Sequence, residues 1–310
     1  MLIPTYERAD ALADCLASVL RQTVLPDELI IVDDGDLGSI PHREDLEARS
    51  IDVVYRQKDV PGVTESRNLG AQIATGEIIY LSEDDVIMER EYIERILHVY
   101  LEDERHEIGG VGGVIVNERR LQPGRLLPLL VYMLIRACGL REGRILRSGF
   151  ASDYGQCLLK IRHRTRVDFL LGGVSSFRRE VLDRFQFSNR YRSKNGYGQG
   201  EDKEFSYRVS QQWRLMIEPR ARLRHYPAAK KNYDRRVRGR AFVLSRYFFF
   251  KEQVQRKPLD ALFFYYTLGG YTLYRLIIML VRPMRTERER MRGLLSGWRE
   301  ILRGARLDQL

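Results

Sequence analysis

The sequence predicts an α/β fold: a doubly wound, mostly parallel sheet followed by a helical C-terminal extension. Apolar runs of strand length alternate with segments of helical spacing from residue 1 to about residue 116, the rhythm of parallel strands joined by crossover helices. Carboxylates close two of those runs, as Asp33-Asp34 and Glu83-Asp84-Asp85. Ligands of such sheets sit at the carboxyl ends of the strands. The charge is divided. Residues 219–310 hold 22 Lys/Arg against 7 Asp/Glu, while residues 1–218 hold 30 against 35, so a mildly acidic body precedes a strongly basic region.

The elements follow in order. "MLI" is the end of a strand, closed by Pro4. Leu12, Leu16, Val19 and Leu20 recur at helical spacing. "ELIIVDDG" (28–35) is an apolar run ending in a turn, residues 41–49 a weak helix, and "IDVVYR" (51–56) a strand. Residues 63–75 read as a helix with Gly76 at its stop. "EIIYLS" (77–82) is a strand, 89–101 a helix, and "GGVGGVIV" (109–116) a further strand. Beyond Asn117 the pattern loosens. "RLLPLLVYMLIRACGL" (125–140) predicts an apolar helix, and "FLLGGVSSFRREVL" (169–182) an apolar segment, a Gly-rich turn and a basic helix start. "NGYGQGEDKEFSYRV" (195–209) is a Gly-punctuated loop entering a helix. The last third is helical, with residues 261–283 its most apolar stretch.

With 310 residues, 44% of them hydrophobic, the chain can bury a large core. Its net charge of +10 suits anionic partners such as lipid headgroups or polyphosphates. Cys15, Cys138 and Cys157 are odd in number and widely spaced. They argue against a disulfide framework or a paired-cysteine metal knuckle and suit a reducing compartment. Pro4, Glu7, Arg8 and Asp10 interrupt any apolar leader.

Three adjacent carboxylates repel one another, so Glu83-Asp84-Asp85 asks for a positive charge. Hard oxygen ligands at a strand end suit Mg²⁺ or Mn²⁺ with substrate phosphate completing the shell. The plain alternative is a solvated turn with Asp85 as a helix N-cap. Asp33-Asp34 fits acceptance of a nucleobase N–H, or again a simple turn with Gly35.

Together with their flanks these motifs resemble family 2 inverting glycosyltransferases of the GT-A fold. "IPTYERADALADCLASVLRQT", "ELIIVDDGD", "GVTESRNLGAQIATGEIIYLSEDD", "GGVSSFRREVL" and "GEDKEFSYRVSQQWRLMIEPRARLRH" occur in order across residues 1–226. The resemblance implies a nucleotide-sugar half at about 1–116, an acceptor half at about 117–226, and a separate basic helical region at 227–310. It implies that Pro4, Thr5 and Tyr6 line the nucleotide pocket, that Asp34 pairs with the base, and that Arg67 lies near the pyrophosphate. Asp85 would hold the metal and Asp84 would lie near the ribose or behind the metal. The first position of the family's acidic motif is Glu83 here, a departure from its usual Asp. Asp202 matches the catalytic base, Glu201 its neighbour, and His225 a histidine that closes over diphosphate and metal; a surface histidine is the plain alternative.

"QQWR" (211–214) has the wrong order for the motif of processive synthases, so single-sugar addition is expected. The expected donor is a UDP-sugar and the expected acceptor a hydroxyl of a lipid-linked or cell-surface glycan. Transfer to a polyprenyl phosphate is a close variant. Residues 261–282 have spanning length, about 20 residues, but Arg275 and Gly269-Gly270 interrupt them. Spanning, lying in the interface and packing as a soluble helix all stay open. The cytoplasmic face of the cell membrane, through peripheral contact or a single anchor, is the expected location, with an anionic membrane surface as partner. A non-catalytic protein gripping membrane or nucleic acid is the reading from another class. No nucleic-acid partner is expected: no RNA-binding or helix-turn-helix signature accompanies the basic residues. A nucleotidyltransferase would also pair a nucleotide with a metal, but its Gly-rich start is absent.

Overall fold

A computed structural model describes residues 1–117, 126–191, 200–227 and 234–306. In chain order it contains β1 (Leu2–Thr5), α1 (Ala9–Leu20), β2 (Glu28–Asp33), α2 (Arg43–Ala48), β3 (Asp52–Gln57), α3 (Val63–Ile73), β4 (Ile78–Ser82), β5 (Val86–Met88), α4 (Tyr92–Leu101) and β6 (Ile108–Ile115). There follow α5 (Leu126–Leu134), β7 (Arg144–Ile145), β8 (Ala151–Ser152), β9 (Thr165–Val167), β10 (Val174–Arg178), α6 (Arg179–Arg184), α7 (Glu201–Ser210), β11 (Arg214–His225), α8 (Arg235–Phe249), α9 (Asp260–Val281) and α10 (Arg285–Leu302). The chain folds as two compact units. One comprises Met1–Glu118, Ile161–Asn189 and Phe205–Ala228, the other Arg119–Lys160, Arg190–Glu204 and Ala229–Leu310. The stretches 119–160 and 190–204 group with the C-terminal helices.

The first unit is built on a mixed sheet in the order β3-β2-β1-β4-β10-β6-β11-β5, with β9 on β11. β3, β2, β1 and β4 run parallel, as do β6 and β11. Every residue of β2 is buried, as expected of a parallel strand covered on both faces. Its Leu29 and Ile31, with Ile3 of β1, join Leu12, Leu16 and Val19 of α1 and Ile93, Ile96 and Val99 of α4 in one apolar core.

The sheet is mostly parallel as expected, with antiparallel additions: β5 and β9 pair antiparallel with β11. β10 runs antiparallel between β4 and β6, where the sequence suggested only a turn. Its Ser175 and Ser176 hide the strand from a hydrophobic reading, yet both are buried. The Ser176 hydroxyl donates to the Val111 carbonyl at 3.0 Å and lies 3.0 Å from the Tyr100 hydroxyl, so its burial costs little.

In the second unit α8 and α10 meet backbone to backbone. A Cβ on Gly293 would lie 2.1 Å from the Arg236 carbonyl oxygen. Arg240 of α8 holds Glu300 of α10 with two hydrogen bonds, at 2.8 and 2.6 Å. The helix expected over 125–140 ends at Leu134, because Arg136 turns left-handed (φ 55°) and the N–H groups of Ala137 and Cys138 fold back to the Tyr132 carbonyl. Arg125 lies outside the described residues. No helix among the described residues is long and apolar enough to cross a membrane. A single anchor at 261–282 is therefore withdrawn: Arg275, threonines, tyrosines and glycines dilute α9. Cys138 and Cys157, far apart in sequence, are free thiols with sulfurs 3.3 Å apart.

Candidate active site

The carboxyl ends of β1, β2 and β4 bring the sequence-predicted acids of the first unit together. Thr5 ends β1 and donates its hydroxyl to Asp84 Oδ2 at 2.8 Å. Asp84 is buried, and this burial pushes its carboxyl up to about 6 against the pull of Arg8 and Thr5. Arg8, one residue before α1, reaches Asp84 Oδ1 at 3.1 Å and Asp85 Oδ2 at 2.6 Å. Part of the positive charge that the acidic run asks for thus comes from the chain itself. Pro4 pairs with Val32 across the sheet, and Tyr6 is exposed at the rim.

His225 arrives from the other side of the sheet. β11 pairs antiparallel with β5 so that His225 faces Val86, and the Tyr226 N–H donates to the Asp85 carbonyl at 2.8 Å. Asn117 fixes the His225 backbone with reciprocal hydrogen bonds of 2.7 and 2.9 Å. His225 Nε2 then lies 3.2 Å from both Glu83 Oε2 and Asp85 Oδ1. Hydrogen bonds to Asp85 and then Glu83 push the imidazole up to about 10. Burial raises the Asp85 and Glu83 carboxyls, but His225, with Arg8 at Asp85 and Arg67 at Glu83, outweighs it and holds both below their usual range.

This cluster fits a divalent cation. One ligand atom each from Glu83, Asp85 and His225 lie within 4.8 Å of one another. Among the described residues, buried Asp85 Oδ1 has no well-aligned hydrogen bond and meets His225 Nε2 at 3.2 Å. Two carboxylates and an imidazole form a donor set suited to Mn²⁺ more than to Mg²⁺. Glu83, read from sequence as a departure from the motif, is one of the three candidate ligands.

A cation taking His225 Nε2 must displace a proton held up to about 10. Mn²⁺ affinity therefore rises with pH, by about tenfold per unit between pH 6.5 and 9 if one proton is released. Calorimetry in buffers of different ionisation enthalpy checks this, and a pH-independent affinity contradicts it. Without metal the sign for stability is opposite. The folded imidazole titrates above its ordinary 6.5, so its contribution is full below 6.5 and lost as pH rises toward 10.

Arg67 of α3 is buried, with Nη2 3.7 Å from Glu83 Oε1 and its guanidinium 5.6 Å from the centre of the Phe187 ring. Gly172 and Gly173, just ahead of β10, make room for both groups. A Cβ on Gly172 would lie 2.5 Å from Arg67 Nη1, and one on Gly173 2.4 Å from Glu83 Cγ. Both obstructed groups are side chains that can swing away, so the fold survives while the site is rearranged. Gly173→Ala is expected to weaken Mn²⁺ binding by about 10- to 100-fold, the usual effect of disturbing a ligand's support. Its melting temperature should stay within a few degrees of wild type, for a cost of about 1 kcal/mol or less. Calorimetric Mn²⁺ titration beside a thermal melt reads both.

Asp34 closes the far side of this group of strand ends. Its Oδ1 accepts from the Ser66 hydroxyl at 2.6 Å and meets Lys58 Nζ at 3.0 Å, while Oδ2 accepts the Gly62 N–H at 2.7 Å. A carboxylate offers about four acceptor positions, which leaves one on Oδ2. Asp33 is spent locally: it accepts from the N–H groups of Gly35 and Leu37 and from the Tyr55 hydroxyl.

Glu201 and Asp202 open α7 in the second unit. Both are half-buried, and Asp202 Oδ1 accepts the Lys203 N–H at 2.8 Å. The structure therefore gathers Thr5, Arg67, Asp84, Asp85 and His225 in the first unit, with Asp34 at a neighbouring strand end. It places Glu201 and Asp202 on the helix whose later turns return to the first unit.

The fold and this arrangement of acids define a GT-A glycosyltransferase. The chain belongs to glycosyl transferase family 2, whose pattern matches residues 1–185. That match ends ahead of Glu201, Asp202 and His225. Over 138 residues the chain is 30% identical to the glucosyl-dolichyl phosphate glucuronosyltransferase of Haloferax volcanii, a stretch covering 44% of each protein. It is 34% identical over 96 residues to the uncharacterized glycosyltransferase YwdF of Bacillus subtilis, covering 31% of this chain and 35% of that one. The chain thus spans less than half the length of these curated relatives. Residues 1–349 of S. aureus TarS, solved in complex with UDP-GlcNAc, share the fold with a TM-score of 0.55 at 12% identity, over 96% of this chain and 80% of that one. The mannosyltransferase PcManGT of Pyrobaculum calidifontis, solved with GDP-Man and Mn²⁺, gives 0.50 at 15% identity, over 97% and 86%. At these identities the likeness is one of fold alone.

Proposed function

We propose that the protein moves one sugar, with inversion, from a nucleoside-diphosphate sugar to a hydroxyl of a lipid-linked or cell-surface glycan. The Glu83–Asp85–His225 cluster, with Arg67 beside Glu83, carries the reading. It is a cation site next to a guanidinium at the carboxyl end of a nucleotide-binding type of sheet. When bound there, Mn²⁺ or Mg²⁺ would supply Lewis-acid neutralisation of the leaving diphosphate.

The chain's own residues do the rest. Asp34 accepts an N–H of the base with its remaining acceptor position, while Pro4, Thr5 and Tyr6 line the nucleotide. Asp84, held by Thr5 and Arg8, backs Asp85 from behind. Arg67 faces charge developing on the diphosphate. Asp202 takes the proton of the attacking hydroxyl, and Glu201 orients it. One base suffices for inversion, so no covalent nucleophile is called for.

A UDP-sugar is the proposed donor. The name of the Haloferax volcanii relative contains a dolichyl-linked sugar, which favours a lipid-linked acceptor here; transfer to a polyprenyl phosphate is the variant. The proposed location is peripheral, at the cytoplasmic face of the membrane. Exposed Leu127, Leu130 and Leu134 of α5, and Leu273, Ile277 and Leu280 of α9, support that location beside the basic charge of this region. Flotation with anionic but not zwitterionic vesicles is expected, and equal recovery with both would remove the electrostatic part.

Thermal-shift titration with UDP, GDP and dTDP, each with and without Mn²⁺, tests the donor site. A Mn²⁺-dependent shift for one nucleotide supports it. No shift with any of them returns the protein to the binding-protein reading.

A further inference from the structure

The second unit contains a cavity of about 550 Å³, within the range of small-molecule sites, about 300–1,000 Å³. Lys203, Arg235, Arg238, Arg246, Arg275 and Arg290 line it, and no Asp or Glu among the described residues does. For Arg246, Arg275 and Arg290 carboxylates are few among the described residues. Lys203 Nζ pairs with Asp153 at 2.6 Å. Among the described residues Arg275 and Arg290 share one carboxylate, Glu287, and Arg275 Nε is buried without a hydrogen-bond partner. Arg246 is half-buried, with its guanidinium 3.6 Å from the centre of the Phe242 ring and 5.4 Å from that of Phe150. Ring faces steady a cation but do not neutralise it. Burying guanidinium groups in excess of carboxylates is costly unless an anion completes them.

The position of the cavity supplies a second observation. Gly200 and Lys203 line it, and between them in sequence lie Glu201 and Asp202, the proposed base and its neighbour. Planar, forked guanidinium donors match phosphate oxygens in pairs.

We propose that this cavity binds the phosphate or diphosphate group of a phosphate-bearing acceptor. That the ligand is the acceptor rests on the transferase reading; that the cavity takes a phosphate anion does not. A lipid-linked phosphate and a soluble phosphate ester present the same chemistry to these arginines. An attached prenyl chain distinguishes them.

The test is calorimetric titration of the full chain, in EDTA to silence a metal-dependent donor site, with sodium pyrophosphate, geranyl diphosphate and geraniol. Both diphosphates are expected to bind and geraniol not. Arg246→Gln and the exposed Arg238→Gln should each weaken binding about tenfold or more, the scale of one lost charge-assisted hydrogen bond. Their Mn²⁺-dependent nucleotide shift should stay unchanged, which also shows that they fold. Geranyl diphosphate binding tighter than pyrophosphate assigns a lipid-linked ligand, and equal affinities a soluble one; either supports the site. The proposal is overturned if neither variant weakens binding, or if geraniol binds as well as its diphosphate. Diphosphate binding that persists in a protein with no nucleotide shift would sink the donor-site reading and leave this one standing.

Discussion

Asp202→Asn lowers the transfer rate by about 10²- to 10⁴-fold, the range for loss of a general base, and leaves nucleotide affinity unchanged. The amide fills the same space and its oxygen can still accept the Lys203 N–H that Asp202 Oδ1 accepts at 2.8 Å. What it cannot do is take a proton from an attacking hydroxyl. Single-turnover transfer beside a nucleotide titration separates the two effects. Near-normal turnover would remove Asp202 as the base.

Asp85→Ala has the other large expected effect: the Mn²⁺-dependent nucleotide shift disappears and transfer falls by at least about 10²-fold, as for loss of a main electrostatic stabiliser. Asp85 is the hub of the site. It meets Arg8 at 2.6 Å and His225 at 3.2 Å, so its removal also frees the imidazole from the first cause of its raised pKa. The imidazole should titrate lower in the variant, which histidine NMR reads directly. A retained Mn²⁺ response would refute Asp85 as a ligand.

Much of this site was legible because its acids end apolar runs. Asp34, Asp84 and Asp85 announce themselves by standing where a strand must stop. Arg8 was not legible as their partner. It meets Asp85 across 77 positions of sequence, and only the pairing of β1 with β2 and β4 brings the two together. Glu83 was read as a tolerated oddity because its role depends on His225, which the β11–β5 ladder delivers. β10 escaped for a local reason: its buried Ser176 is satisfied through Val111 and Tyr100, and hydrophobic pattern carries no trace of such bonds. The proximity of Cys138 and Cys157 depends on tertiary folding that residue spacing cannot report.

The threading of the second unit bears on how such a protein changes partners. Its three stretches each contribute to the arginine-lined cavity: Tyr132 and Ile145 from the first, Tyr191 and Lys203 from the second, Arg238 and Arg246 from the third. Asp202 belongs to the middle stretch. A chimera that exchanged only the chain after residue 228 would pair new helices with two old strands of the weave. Under the proposal that this cavity holds the acceptor phosphate, acceptor preference is transplantable only as a three-part graft, and the proposed base travels with that graft, not with the nucleotide sheet.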